Sequence, residues 1–138
     1  MRDITHIVIH CTATPEGRPH TVKEVRAWHK ARGFRDIGYH WLIRLDGTIE
    51  PGRAEGTIGA HVEGQNAKSI GVVYVGGIDK DTFKPKDTRT PQQKAALLEL
   101  LKELKGKYPK ARILGHRDFP SISKACPSFG AEVEYANL

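Results

Sequence analysis

Residues 69–77, SIGVVYVGG, constrain the fold more than any other stretch of the chain. The run is apolar almost without interruption. A strand of this kind has to be covered on both faces, which places it in the middle of a sheet. The neighbouring sequence supplies the rest of that sheet. ITHIVIH (4–10) alternates β-branched residues and predicts a strand, and ARILGH (111–116) predicts a short one. YHWLIRLDGTIEPGR (39–53) predicts a β-hairpin with Asp46-Gly47 as a two-residue turn.

Two segments supply covering helices. TVKEVRAWHKARG (21–33) starts with Thr21 and Glu24 at the spacing of a capping box and ends at Gly33. Its inner face is expected to carry Val22, Val25 and either Trp28 or His29. TPQQKAALLELLKELKGKY (90–108) has Thr90 as cap, Pro91 in the first position and a predicted stripe of Ala95, Leu98, Leu101 and Leu104, with Leu97. The stretch 56–69, GTIGAHVEGQNAKS, is too long to be a mere connection, and function is expected there. CTATPEGRPH (11–20) and DKDTFKPKDTR (79–89) read as loops, and the tail FGAEVEYANL is weakly patterned. No repeat, linker or low-complexity tract interrupts the chain. The expected fold is mixed α/β, a central mostly β sheet flanked by helices, in a single domain over residues 1–138.

Composition narrows the function classes. Charged residues make up 28% and hydrophobic ones 38%, and no apolar run approaches the ~18 residues of a membrane span. The start, MRDITHIVIHC, lacks the apolar stretch of a signal peptide, so cytoplasmic synthesis is expected. The net charge of +6 favours anionic partners, whether nucleic acid, acidic lipid or cell-wall polymer. Its one loose cluster, LKELKGKYPKAR, reads as a solvated helix face.

The residues capable of chemistry fall at strand ends, where ligands gather in such sheets. His10 ends the first strand, Tyr39 and His40 open the hairpin, His61 lies in the long loop, and His116 ends the last strand, ten residues before Cys126. Any one of these histidines is ordinarily a hydrogen-bonded core residue. Two His and one Cys together make a three-ligand zinc set, the pattern of a catalytic site with one position open. Cys11 is the rival thiol, but adjacent strand residues point to opposite faces, so Cys11 and His10 do not easily share an ion. Lys124 beside such a site can stabilise negative charge on a carbonyl oxygen, and Tyr39 can orient water or polarise the carbonyl. A solvated lysine and a packing tyrosine are the plain alternatives.

VIHCTAT, EVRAWHKARGFRDIGYHWLIRLDGTIEPGR, GAHVEGQNAKSIGVVYVGG, TPQQKAALLELL, GHRDF and KACPSF occur in this order. Together they resemble the type 2, zinc-dependent N-acetylmuramoyl-L-alanine amidases, whose fold peptidoglycan recognition proteins share. The resemblance runs from about residue 4 to about residue 130. It implies zinc bound by His10, His116 and Cys126, catalytic roles for Tyr39 and Lys124, and a substrate contact at His61. The implied reaction is hydrolysis of the amide between N-acetylmuramic acid and L-alanine. The implied partner is peptidoglycan or a muropeptide, with no nucleic acid and no membrane, and the protein is expected to be a monomer acting on the cell wall once released. Binding-only relatives typically lack the Cys ligand, which this chain has.

Three rivals stay open. One is a binding module of the same fold. Another is a regulator that binds RNA polymerase, as phage members of the family do; the short segment ahead of Ile4 disfavours it. The third uses Cys126 as a nucleophile with a His base.

Overall fold

The computed structural model describes residues 2–120 and 124–138. A five-stranded sheet forms its centre, in the order β4–β3–β5–β1–β7. The strands are β1 (His6–Cys11), β3 (Trp41–Ile43), β4 (Ile49–Pro51), β5 (Ser69–Tyr74) and β7 (Arg112–Gly115). β1 pairs in parallel with β5 and β7, β3 pairs in parallel with β5, and only β3–β4 is antiparallel. Two-residue strands β2 (Thr14–Pro15) and β6 (Gly77–Ile78) form a separate parallel pair. The helices are α1 (Val22–Ala31), α2 (Pro91–Lys107) and the short α3 (Ala131–Glu134). Among the described residues, no helix is long and apolar enough to cross a membrane.

The apolar run occupies the predicted place. β5 is the middle strand and all six of its residues are buried. Strand alternation divides the core in two. Ile7, Ile9 and Cys11 of β1, with Ile70, Val72 and Tyr74 of β5, face the leucines of α2 and the C-terminal Phe129, Ala131 and Tyr135. The opposite face carries Val73 and Val75, which pack on Val22 and Val25 of α1 with Ile37 and Leu42. His10 therefore emerges on the α1 side, and Cys11 on the α2 side.

Several local expectations are refined. The α2 stripe is Leu97, Leu100, Leu101 and Leu104 with Gln93, while Ala95 and Leu98 (38% exposed) face solvent. The rotation follows from Gln93. Its side chain accepts from the Thr90 amide at 2.9 Å, completing a capping box, and donates to the Ile43 and Val75 carbonyls at 3.3 and 3.0 Å. A polar residue thus anchors the buried face. At α1 only half of the expected box forms: Thr21 accepts from the Glu24 amide at 3.3 Å, and the Glu24 carboxylate turns to His20. Of the two candidates, His29 is buried and Trp28 is 39% exposed. The hairpin turn is one residue longer than expected. The Gly47 amide donates to Arg44 at 2.9 Å and Gly47 takes φ +89°, a three-residue loop ending in a glycine bulge.

Candidate metal and catalytic site

Register builds the site. The β1–β7 pairing ends at Ile9 with Gly115. Continued by one residue, it sets His10 beside His116 on the same face, and their ring centroids are 4.7 Å apart. At that point the chain after β7 turns away in a 3-10 turn, His116–Asp118, capped by Asp118, which accepts the Gly115 amide at 2.7 Å. The β1 edge is left open beyond Ile9, and Cys126 fills it. Its Sγ accepts the Cys11 amide at 3.2 Å, in place of a strand carbonyl.

The Cys126 segment is fastened from behind. Tyr74 donates to the Pro127 carbonyl at 2.6 Å, Ser128 to the Gly77 carbonyl at 3.0 Å, and the Arg117 amide to the Cys126 carbonyl at 2.8 Å. Phe129 is buried next to it, with the Arg89 guanidinium 3.4 Å from its ring centroid. Arg89 is in turn held by Asp87 and Glu134 and donates to Tyr135. Arg89 was not among the predicted residues, because nothing in DTRTP marks it as buried.

One donor from each of His10, His116 and Cys126 lies within 4.8 Å of the others, the one such group of His, Cys and acidic residues among the described residues. His10 Nδ1 is 3.9 Å from Cys126 Sγ. Two donors on one tetrahedral zinc, with bonds of ~2.0 and ~2.3 Å, sit roughly 3.5 Å apart. The donor set therefore fits a zinc ion with small adjustment. The chemistry fits as well. The Cys11 N–H supports charge on the sulfur, and burial holds His10 and His116 below the ordinary histidine range, which keeps their lone pairs free. In the metal-free chain the hydrogen bond with the Cys11 thiol, together with burial, pushes the Cys126 thiol up.

The cluster opens into a cleft of about 240 Å³ whose walls include Arg32, Phe34, Tyr39, His61 and Lys124. A neighbouring hollow of about 460 Å³ shares His61, His116 and Lys124 with it, while the other large hollows, around Arg112 and around Tyr108, hold no comparable group. Tyr39 lies 5.0 Å from the His10 ring, centroid to centroid. It is positioned by α1, since His29 Nδ1 accepts the Gly38 amide at 2.8 Å. Burial raises the Tyr39 hydroxyl well above the usual phenol range, so it remains an O–H donor. Lys124 is exposed on the same cleft wall as His116. His40 is fully buried away from the cluster: it accepts the Gly71 amide at 3.0 Å and reaches the Thr57 carbonyl at 2.8 Å. It is a core histidine. His61 lies beside His10, with 2.8 Å between His61 Nδ1 and His10 Nε2. Burial first, then the neighbouring His40 and His116, pushes His61 down to about 3.

The model of the N-acetylmuramoyl-L-alanine amidase family matches residues 1–129. The chain belongs to that family. It is similar to the endolysin of Enterobacteria phage K11, at 47% identity over 128 residues, 93% of this chain and 83% of that protein. Among solved structures, the amidase fold matches the N-acetylmuramoyl-L-alanine amidase LysC from Clostridium intestinale URNW. The TM-score is 0.79 at 32% identity, covering 97% of this chain and 83% of that one. It also matches a tyrosine-to-phenylalanine mutant of Drosophila PGRP-LB in complex with tracheal cytotoxin, with TM-score 0.79 and 26% identity, covering 99% of this chain and 82% of that one.

Proposed function

We propose that this amidase is zinc-dependent and hydrolyses the amide between N-acetylmuramic acid and L-alanine in peptidoglycan. The observation that supports it most is the convergence of His10, His116 and Cys126 on one point at the base of a cleft. Endolysins among its relatives and a peptidoglycan-recognition protein holding tracheal cytotoxin point to the same substrate class. When bound, zinc supplies Lewis acidity that activates water and polarises the scissile carbonyl.

The chain supplies the rest. His10, His116 and Cys126 hold the ion. Tyr39, kept protonated by burial, donates a hydrogen bond that orients the carbonyl or water. The Lys124 ammonium stabilises negative charge as it develops on the carbonyl oxygen. The net charge of +6 draws in a carboxylate-rich substrate, an attraction that salt screens. A thiol mechanism fits less well. A nucleophilic cysteine needs a depressed pKa; Cys126 and Cys11 share one hydrogen-bonded thiol pair, in which one thiol goes up as the other comes down to about 7, and burial disfavours the Cys126 thiolate unless a bound cation offsets it.

Mass spectrometry of purified muropeptides, with and without a chelator, tests the proposal. Water should be added across the N-acetylmuramic acid–alanine bond, chelation should stop the reaction, and zinc should restore it. A binding module would retain the muropeptide unchanged. A thiol hydrolase would survive chelation and die on alkylation.

A further inference from the structure

His10 has two ring nitrogens, and the structure separates their tasks. Nδ1 faces the Cys126 sulfur at 3.9 Å, and Nε2 faces His61 Nδ1 at 2.8 Å. On the far side of the His61 ring, Nε2 lies 3.2 Å from the Ser69 hydroxyl, and Ser69 is fully buried at the start of β5. Both nitrogens of His61 are thus taken by protein partners. The ring is also clamped. A side chain at Gly71 would meet its Cδ2 at 2.8 Å and its Nδ1 at 2.9 Å, and one at Gly59 would meet its Cδ2 at 2.9 Å. The loop that presents it is fixed by Asn66, whose Oδ1 accepts the amides of His61 and Val62 at 2.9 Å each.

We infer that His61 is a positioning residue, which sets the ring of His10 through a chain His10–His61–Ser69: its ring borders the cleft, but both of its nitrogens are spent on the protein and none is left to bond substrate. The inference rests on the zinc reading above and deepens it. An imidazole that gives Nδ1 to a metal and stays neutral carries its proton on Nε2. That proton needs an acceptor, and His61 Nδ1 is the atom in reach. His61 must then carry its own proton on Nε2, directed at the Ser69 oxygen. Metal ligation at one end therefore selects one tautomer along the whole chain. Residues that orient a ligating histidine from behind commonly govern metal affinity. Gly59 and Gly71 provide the space, since only glycine lets the ring lie this close to the backbone.

The test is the zinc dissociation constant, read by competition with a chromophoric chelator, together with KM for a muropeptide at saturating zinc. His61→Ala should weaken zinc ~10–100-fold and leave KM near the wild-type value. His61→Asn should keep most of the affinity, because its carboxamide oxygen takes the place of Nδ1. Nitrogen NMR of the zinc-loaded wild type should find the His10 proton on Nε2. Unchanged zinc affinity in His61→Ala, with a raised KM, would make His61 a substrate contact and overturn the inference alone. A wild-type chain that binds no zinc would overturn both this inference and the reading beneath it. Should His61→Ala fail to fold, Ser69→Ala and His61→Asn decide. Ser69→Ala must then lose zinc affinity several-fold while His61→Asn holds it, and no loss in Ser69→Ala refutes the chain.

Discussion

Acidifying the metal-free protein should unfold it through its histidines before its carboxylates matter. His10 is 1% exposed and held well below 6.5, and His61 is pushed down to about 3, in both cases first by burial. An unfolded histidine titrates near 6.5. Below that pH the unfolded chain takes up protons at these two positions that the folded chain refuses, and His6, His29, His40 and His116, each also lowered first by burial, act in the same direction. A group with a depressed folded pKa contributes stability that is present above its unfolded pKa and is lost as pH falls toward the folded value. Each such proton is worth about 1.36 kcal/mol per pH unit. Allowing for incomplete protonation of the unfolded chain at pH 6, the two together cost roughly 2.5 kcal/mol between pH 6 and pH 5. With a urea m-value of about 2 kcal/mol/M, these two alone should drop the midpoint by about 1 M over that interval, and the other lowered histidines add to it. The lowered carboxylates, Asp87 and Glu134 among them, act in the same direction only nearer their own unfolded pKa and stay out of this window. Urea titrations followed by the fluorescence of Trp28 and Trp41, at pH 7, 6 and 5 with a chelator present, measure the slope. His61→Asn should reduce the drop by its own share, about 0.6 M. A midpoint that moves by less than about 0.3 M, or a slope untouched in His61→Asn, would refute the reasoning.

Cys126→Ala should lose zinc while Cys11→Ala retains it, because Cys11 contributes its backbone amide to the sulfur; metal analysis of both variants reads this directly. Tyr39→Phe should keep fold and metal and lose ~10²–10⁴-fold in kcat, and an unchanged rate would return Tyr39 to packing. Lys124→Ala should lower kcat ~10²–10³-fold with zinc content near one and little change in KM. Lys124→Arg should rescue only partly, since its planar fork differs from a compact ammonium. A rise in KM alone would leave Lys124 as a contact for the acidic stem peptide.

The sheet was legible because its signals are local. Continuous apolarity in SIGVVYVGG forces a central strand, and alternation in ITHIVIHC sends His10 and Cys11 to opposite faces, as the separate surroundings of the two residues bear out. What escaped depends on partners distant in sequence. The α2 stripe turned because Gln93 reaches the Ile43 and Val75 carbonyls, which helical periodicity cannot register. β2 and β6 are too short for a pattern, and α3 is held by Arg89 and Phe129 more than by its own four residues. Ser69, Asn66 and Gly71 went unnoticed because their residue types carry no signal of their own. In sequence they are an ordinary serine, asparagine and glycine; the fold of the loop 61–66 turns Asn66 back on the His61 amide, and β5 carries Ser69 and Gly71 against the ring.

The position of β1 between β5 and β7 also sets the order in which this chain can fold. His6 pairs with Ser69 on one side and Arg112 on the other, partners made more than sixty and more than one hundred residues later. Parallel pairing over such spans requires large loops to close before any contact repays their lost entropy, a topology that folds slowly. On the ribosome the first strand therefore emerges long before either neighbour. Arrest of synthesis at residue 110 would leave β1 with a neighbour on one edge only, and with neither His116 nor Cys126 yet made. The last stages of translation thus complete the sheet and the donor set together, and a chain cut short there is both unfinished as a fold and unable to assemble the site.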